Sequence, residues 1–205
     1  MSKTFAISLA GATGAVGTAA AGAYHYGAFS SKSPNIGDRL QKEKYTLLKE
    51  SDSTNWAKSL TQYKKKNSDK STYTEKELKD LCKKLLAHGE NEDGSYSEAR
   101  KYCVVPATIS GRLTSLNLNV LDATGSGDLE KWKGLSKEYK TKGVDSKKLD
   151  DLLNTGVSDE ATSGDTLKGK CKTVLEKEHW DDNYDSLIKG AESWCTLQGF
   201  NSIPK

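Results

Sequence analysis

Apolar residues recur at helical spacing through most of the chain beyond residue 45. In Leu78–Leu86 they fall at i, i+3, i+4, i+7 and i+8, which forms one stripe along a helix. Similar stripes run from Leu167 to Leu175 and from Leu187 to Cys195. The pattern therefore predicts a mainly α fold.

Two motifs mark where helices are expected to begin. Thr74-x-x-Glu77 and Ser95-x-x-Glu98 have the residue types of a capping box. In such a box the hydroxyl and the carboxylate each accept a hydrogen bond from a backbone amide that the helix leaves unpaired. We therefore predict helix starts at Thr74 and at Ser95.

The middle of the chain has a different pattern. Within Ser110–Asp128, apolar residues alternate with polar ones at Leu116, Leu118 and Val120, which favours a short strand followed by a Gly/Ser turn. Further on, Leu149–Leu153 predicts a short helix that is capped by Asp145 and ends near Gly156.

Three short patterns occur twice and in the same order along the chain. The matching residues are Trp56 and Tyr63 with Trp132 and Tyr139, Cys82 with Cys171, and Tyr102-Cys103 with Trp194-Cys195. Recurrence at a fixed order is typical of internal repeats. We predict two related helical lobes, residues 45–110 and 128–205, joined by a connector at residues 111–127.

The N-terminus has the character of an export segment. Residues from Thr4 to Ala23 carry no charge and follow Lys3, and a helix of about 20 residues spans a bilayer. Ala21-Gly22-Ala23 also fits a signal cleavage site. Residues 1–26 are thus predicted to be a transmembrane anchor or a signal segment, and residues 27–44 a linker. The remainder would lie outside the cell.

The same segment contains Gly11-x-x-Gly14-x-x-Gly17 after an apolar run. The stretch GATGAVG is locally similar to the phosphate-binding loop of semialdehyde-dehydrogenase-type enzymes. That site also needs a crossover helix, a second strand and an acidic residue for the ribose. Residues 24–35 have the composition of a loop and not of these elements. An NAD(P)-binding enzyme is therefore the alternative to the export prediction, and not the main prediction.

Charge and motif content exclude several classes of function. Lys plus Arg is 31 and Asp plus Glu is 28, for a net charge of +3, and the two signs are interleaved. A nucleic-acid-binding domain would carry a basic patch, so no nucleic-acid partner is predicted. No nucleophile elbow, zinc-protease motif or Walker loop occurs. We therefore predict a protein that is not an enzyme and has no cofactor.

Four cysteines behind an export segment favour disulfides. Three connectivities are possible, and the repeat selects Cys82–Cys103 and Cys171–Cys195. Closing a loop of about 20 residues contributes about 3 kcal/mol in the chain-entropy model. Four reduced, buried thiols remain the alternative.

Two metal sites are weaker alternatives. For zinc, each lobe offers two cysteines and one histidine, namely Cys82, His88 and Cys103, and Cys171, His179 and Cys195. Their spacing matches no standard ligand pair, and a fourth ligand is missing. For calcium, Asp181–Ser186 with Glu192 fits part of a loop pattern, but the turn glycine is absent and Lys189 occupies a ligand position. No metal ligand is therefore predicted, and a secreted ligand- or metal-binding protein stays an alternative.

The motifs together resemble a known group of proteins. SLAGATGA near the N-terminus, CKKLL, ARKYCVVP and the late ESWC are similar to the uncharacterised paralogous surface families of haemotropic mycoplasmas. The resemblance implies a membrane-attached product on the extracellular face of a cell without a wall, diversified by host immunity. It brings no catalytic residue. The expected function is a membrane-anchored, non-enzymatic surface protein, antigenic or in contact with a host surface component, and secreted if cleaved after Ala23.

Overall fold

The structure is a computed structural model that describes residues 33–143 and 148–204. Within these ranges the chain forms nine α-helices, two short 3₁₀ helices (Ser68–Lys70 and Asn154–Gly156) and only isolated β-bridges. The helices are α1 Ile36–Lys42, α2 Ser53–Lys66, α3 Glu75–Ala87, α4 Asp93–Tyr102, α5 Ile109–Ser115, α6 Leu129–Lys142, α7 Asp165–Leu175, α8 Tyr184–Trp194 and α9 Leu197–Asn201. The predicted mainly α fold is confirmed.

The predicted anchor or signal at residues 1–26 and its GATGAVG stretch lie outside the described residues. Among the helices that are described, none combines the length and the apolar character needed to cross a bilayer.

Residues from Pro34 onward form one compact unit that contains two hydrophobic clusters. One cluster is built from residues 36–104, and the other from residues 109–195. We call residues 33–105 the N-terminal half and residues 108–204 the C-terminal half. One residue departs from this division, because Trp180 lies in the cluster of the N-terminal half.

Helices α2 and α6 carry buried tryptophans with matching contacts. Both helices have 14 residues, and each has a tryptophan at its fourth position. The Trp56 indole N–H donates to the Lys49 carbonyl at 2.8 Å, and the Trp132 indole N–H donates to the Asp122 carbonyl at 3.0 Å. Each tryptophan thus ties its helix to the segment that leads into it.

The tyrosines at the eleventh positions of α2 and α6 are also equivalent in their contacts. Tyr63 meets the edge of the Tyr102 ring at a centroid distance of 5.0 Å, and Tyr139 meets Trp194 in the same way at 5.0 Å. Edge-to-face pairs of this kind stabilise beyond the area that they bury. Burial raises the pKa of Tyr63 to about 12.

The four cysteines form two disulfides, Cys82–Cys103 and Cys171–Cys195, which is the pairing that the repeat selects. In both cases the first cysteine lies within a helix and the second is the C-cap of the next helix. All four are buried. Each bond therefore fixes the end of one helix (α4 or α8) against the face of its neighbour (α3 or α7).

Helix α1 lies within residues 27–44, which are predicted to be a linker. Ile36 and Leu40 of this helix are completely buried, and the Ile36 amide donates to the His88 carbonyl at 2.9 Å. Asn35 caps the helix through a reciprocal box with Asp38. Residues 36–42 are therefore a helix and not part of a linker. The sequence did not indicate this helix, because seven residues show too little apolar periodicity to be recognised.

Helix α5 precedes the predicted strand and lies largely within the predicted connector. Ile109 and Leu113, four positions apart, are completely buried, as in α1. Asn117 then adopts a left-handed φ of 64°, and only Val120 forms a β-bridge, with Thr196. The strand prediction is wrong, because residues 116–120 form turn and irregular backbone with only this isolated bridge.

The two predicted capping boxes have different outcomes. At α3, the Glu77 amide donates to the Thr74 hydroxyl at 3.3 Å and the Thr74 amide donates to the Glu77 carboxylate at 2.7 Å. The second prediction is wrong, because α4 begins at Asp93 and Ser95 lies inside it. The Ser95 hydroxyl instead contacts His88 Nδ1 at 2.8 Å.

The short helix predicted around Leu149–Leu153 is absent from the described residues, which begin again at 148 after the gap. Leu149 is completely buried, and its amide donates to the Tyr139 hydroxyl at 3.0 Å. That hydroxyl donates to the Leu152 carbonyl at 2.6 Å. Tyr139 thus occupies backbone groups that a helix would have paired internally.

Gly164, which precedes α7, is expected to be intolerant of alanine. Its φ is +69°, and an added Cβ would lie 2.7 Å from the Trp132 carbonyl. The left-handed conformation alone costs a residue with a Cβ about 1–2 kcal/mol. Urea denaturation of Gly164→Ala should therefore show at least that loss in the free energy of unfolding. Gly169→Ala, inside α7 and facing open space, is the control and should gain about 0.5–1 kcal/mol.

The two disulfides are expected to contribute similarly to stability. Their sequence separations are 21 and 24 residues, so each should add about 3 kcal/mol to the free energy of unfolding. We expect Cys82→Ala/Cys103→Ala and Cys171→Ala/Cys195→Ala each to lose about that amount in urea denaturation without reductant. A pair whose removal leaves the midpoint unchanged would contradict a structural role for that bond.

Candidate functional site at the junction of the two halves

The zinc alternative is not supported by the geometry. All four sulfurs are bonded in disulfides, so none is a thiolate ligand. His88 is exposed and pairs with Glu92 at 2.9 Å. Within the described residues, no cluster of three or more His, Cys, Asp or Glu side chains has the spacing to hold a metal ion.

The residues of the calcium alternative are divided among separate ion pairs. Asp181 pairs with Lys177 at 3.4 Å, and Asp182 pairs with Lys66 at 2.5 Å. Because α8 begins at Tyr184, Glu192 lies far along a helix and not in a loop. The carboxylates therefore do not converge on a common centre.

The segment 177–183, which connects α7 to α8, lies against the end of α4. Its Trp180 is only 7% exposed and packs in the cluster of the N-terminal half. The Trp180 indole N–H donates to the Lys101 carbonyl at 2.6 Å. A side chain of the C-terminal half thus completes the core of the N-terminal half.

His179 makes the neighbouring contacts and is 3% exposed. Its amide donates to the Ala107 carbonyl at 3.1 Å, and its Nδ1 lies 3.3 Å from the Ala107 amide nitrogen. The Nε2 atom lies 3.0 Å from the Lys101 carbonyl. Since an amide can only donate, Nδ1 must be the acceptor and Nε2 the donor, which defines a neutral ring. Burial holds the pKa of His179 below its ordinary value of 6.5.

An ion pair crosses the same junction. The Arg100 guanidinium makes two hydrogen bonds to the Asp185 carboxylate, at 2.5 and 2.9 Å. The Arg100 side chain is mostly buried, whereas that of Asp185 is 64% exposed. The guanidinium lowers the pKa of Asp185. The geometry is favourable, but solvent screens the pair and limits its contribution to stability.

Arg112 of α5 makes a third contact between the halves. Its guanidinium carbon lies 3.6 Å from the centroid of the Tyr45 ring, and Nη2 donates to the Glu43 carbonyl at 2.6 Å. The equivalent Arg39 of α1 stacks on Tyr96 at 3.8 Å. Arginine over an aromatic face is favourable, and more so where water is excluded.

A shallow cleft of about 440 Å³ lies beside the junction. Its walls include Lys66 and Lys177, and both lysines are already paired with the carboxylates of the segment 177–183. A ligand site typically has a few unpaired polar groups that converge on the ligand. In this cleft the charges of Lys66 and Lys177 are instead neutralised by Asp182 and Asp181. The junction is therefore suited to holding the N-terminal and C-terminal halves together.

Sequence reasoning missed the junction. Trp180 and His179 lie in a stretch that makes the cysteine separation 24 residues in the C-terminal half and 21 in the N-terminal half. The three additional residues in the second copy were the available signal that this stretch differs between the two halves. The groups that these two aromatic residues bind, the Lys101 carbonyl and the Ala107 backbone, are main-chain atoms. Almost any residue at these two positions would provide them, so the sequence does not mark them.

Comparison of the chain with protein-family models, with curated proteins and with solved structures found no match. The function must therefore be inferred from the residues and their contacts.

Trp180 is expected to contribute more to stability than any ion pair at the junction. Truncating a buried tryptophan to alanine costs about 3–5 kcal/mol, whereas a solvent-screened ion pair contributes at most about 1 kcal/mol. We expect Trp180→Ala to lose that larger amount in urea denaturation. Asp185→Asn, measured under the same conditions, should lose less of the free energy of unfolding. Its effect should disappear at high salt, because salt screens the ion pair. Equal losses for the two variants would contradict this order.

Proposed function

We propose that the chain is an exported, membrane-anchored surface protein without enzymatic activity. In this proposal residues 1–26 attach it to the membrane or direct its secretion. A disulfide-stabilised helical body of two related lobes then faces the host as an antigen or adhesin. The observation that carries the proposal is the pair of buried disulfides, one in each half. Structural disulfides are typical of proteins that mature in an oxidising environment.

The positions of the disulfides support a structural role. Cys82 and Cys103 are 2% and 1% exposed, and Cys171 and Cys195 are completely buried. Soluble reductants and partner thiols reach buried sulfur atoms poorly. A redox enzyme would need a reactive and partially exposed thiol. These bonds are therefore suited to a body that persists outside the cell.

The surface chemistry is compatible with diversification. Exposed helix faces carry ion pairs such as Lys76–Asp80, at 2.8 Å, with most of both side chains in solvent. Substitution at such positions usually changes stability by less than about 0.5 kcal/mol. The core and the disulfides hold the fold, so the outer residues are free to vary. This supports an antigenic surface such as the mycoplasma resemblance implies.

Disulfide state and surface exposure together test the proposal. We expect protein from intact cells, denatured without reductant, to weigh four hydrogens less than the fully reduced chain. A protease added to intact cells should remove residues beyond the predicted anchor. The same mass reports whether the chain is cleaved after Ala23. A protein that resists the protease until the cells are lysed, and that carries four free thiols, contradicts export.

A further inference from the structure

His179 lies where only its neutral ring satisfies both neighbours. The Ala107 amide needs an acceptor at Nδ1, while the Lys101 carbonyl needs a donor at Nε2. A protonated ring donates from both nitrogens, so it would face the Ala107 N–H with another N–H. With 3% of the residue exposed, water cannot reach the ring to compensate.

The charges around His179 do not favour an imidazolium. From α4, the Arg100 guanidinium acts on the ring and disfavours a second positive charge. From α8, the Tyr184 ring lies 6.5 Å away, and burial raises its pKa, so it stays neutral. Other titratable groups nearby are Lys101 on α4, Glu178, Asp181 and Asp182 on the segment of His179, and Asp185 on α8. The three aspartates are paired with Lys177, Lys66 and Arg100, respectively.

We propose that His179 is an acid-sensitive latch between the two halves. A proton from solvent adds to the Nδ1 lone pair, no group leaves, and the hydrogen bond from the Ala107 amide is lost. The buried imidazolium then has no acceptor for its Nδ1–H, and this charge favours the release of the segment 177–183, with Trp180, from the end of α4. Each half keeps its own disulfide when the segment leaves.

The direction of the pH dependence follows from proton uptake. The ring has a lowered pKa in the closed junction and an ordinary one, 6.5, once it is exposed. The open state therefore binds more protons as the pH falls below about 6.5, and the closed state loses stability there. Above that value the closed junction has its full stability.

The carboxylates of the two ion pairs that cross the junction have lowered pKa values. Arg100 lowers the pKa of Asp185, and Lys66 lowers the pKa of Asp182, so both carboxylates stay ionised at mildly acidic pH. His88 is the other histidine in the described part of the chain, and it is exposed and remote from the Ala107 contact. It serves as a matched control.

The experiment uses the full chain, labelled with 5-fluorotryptophan and followed by ¹⁹F NMR from pH 8 to pH 4.5. The chain has four tryptophans, and Trp180→Phe assigns the resonance of interest. As the pH falls from 6.5 to 4.5, we expect the Trp180 resonance to shift progressively towards its solvent-exposed position. The other three, Trp56, Trp132 and Trp194, should stay at their buried positions. A Trp180 resonance that does not move, or four resonances that move together, overturns the proposal.

Variants identify the group that titrates. His179→Gln keeps a donor and an acceptor but does not gain a proton, so the movement of Trp180 should be lost. His88→Gln should leave it unchanged. In the unmodified protein, ¹⁵N NMR of the histidines should show His179 with its proton on Nε2 at pH 8. The same titration after His179→Gln overturns the proposal. The opposite tautomer in the unmodified protein also overturns it, and this second readout does not depend on how the variant folds.

Discussion

The bond between a cysteine inside one helix and a cysteine at the end of the next is the constraint on which the rest of the structure depends. Cys82 holds Cys103 at the end of α4, and this restrains the Lys101 carbonyl two residues earlier. The side chains of His179 and Trp180 both donate to this carbonyl. The junction of the halves is therefore positioned by a covalent bond within one of them, and its short hydrogen bonds need no flexible loop to adjust.

The sequence predicted α3, α7 and α8 because their apolar stripes are long enough to be distinguished from chance. It also led to the cysteine pairing, because two copies of a pattern restrict each other. It did not predict α1 and α5, since seven residues give only two fully buried positions at helical spacing, such as Ile109 and Leu113. Tertiary packing, and not local preference, stabilises helices of that length.

The junction itself could not be predicted for a different physical reason. Its acceptors and donors are backbone groups, which every residue has, so the identity of Lys101 or Ala107 carries no signal. The aromatic side chains are visible in the sequence, but nothing in their spacing shows that Trp180 leaves its own half. The stability of the fold therefore depends on a small number of buried aromatic side chains and on the two disulfides. The charged residues are numerous and replaceable.

The fixed path of the segment 177–183 has a practical consequence for serology. Trp180 and His179 face inward and are held by backbone hydrogen bonds, so the native protein shows little of either side chain. A serum raised against a synthetic peptide of these residues would recognise mainly groups that the folded chain conceals. A serum intended for the native protein would need the oxidised, folded chain as immunogen. The same peptide serum would instead report denatured material on a blot.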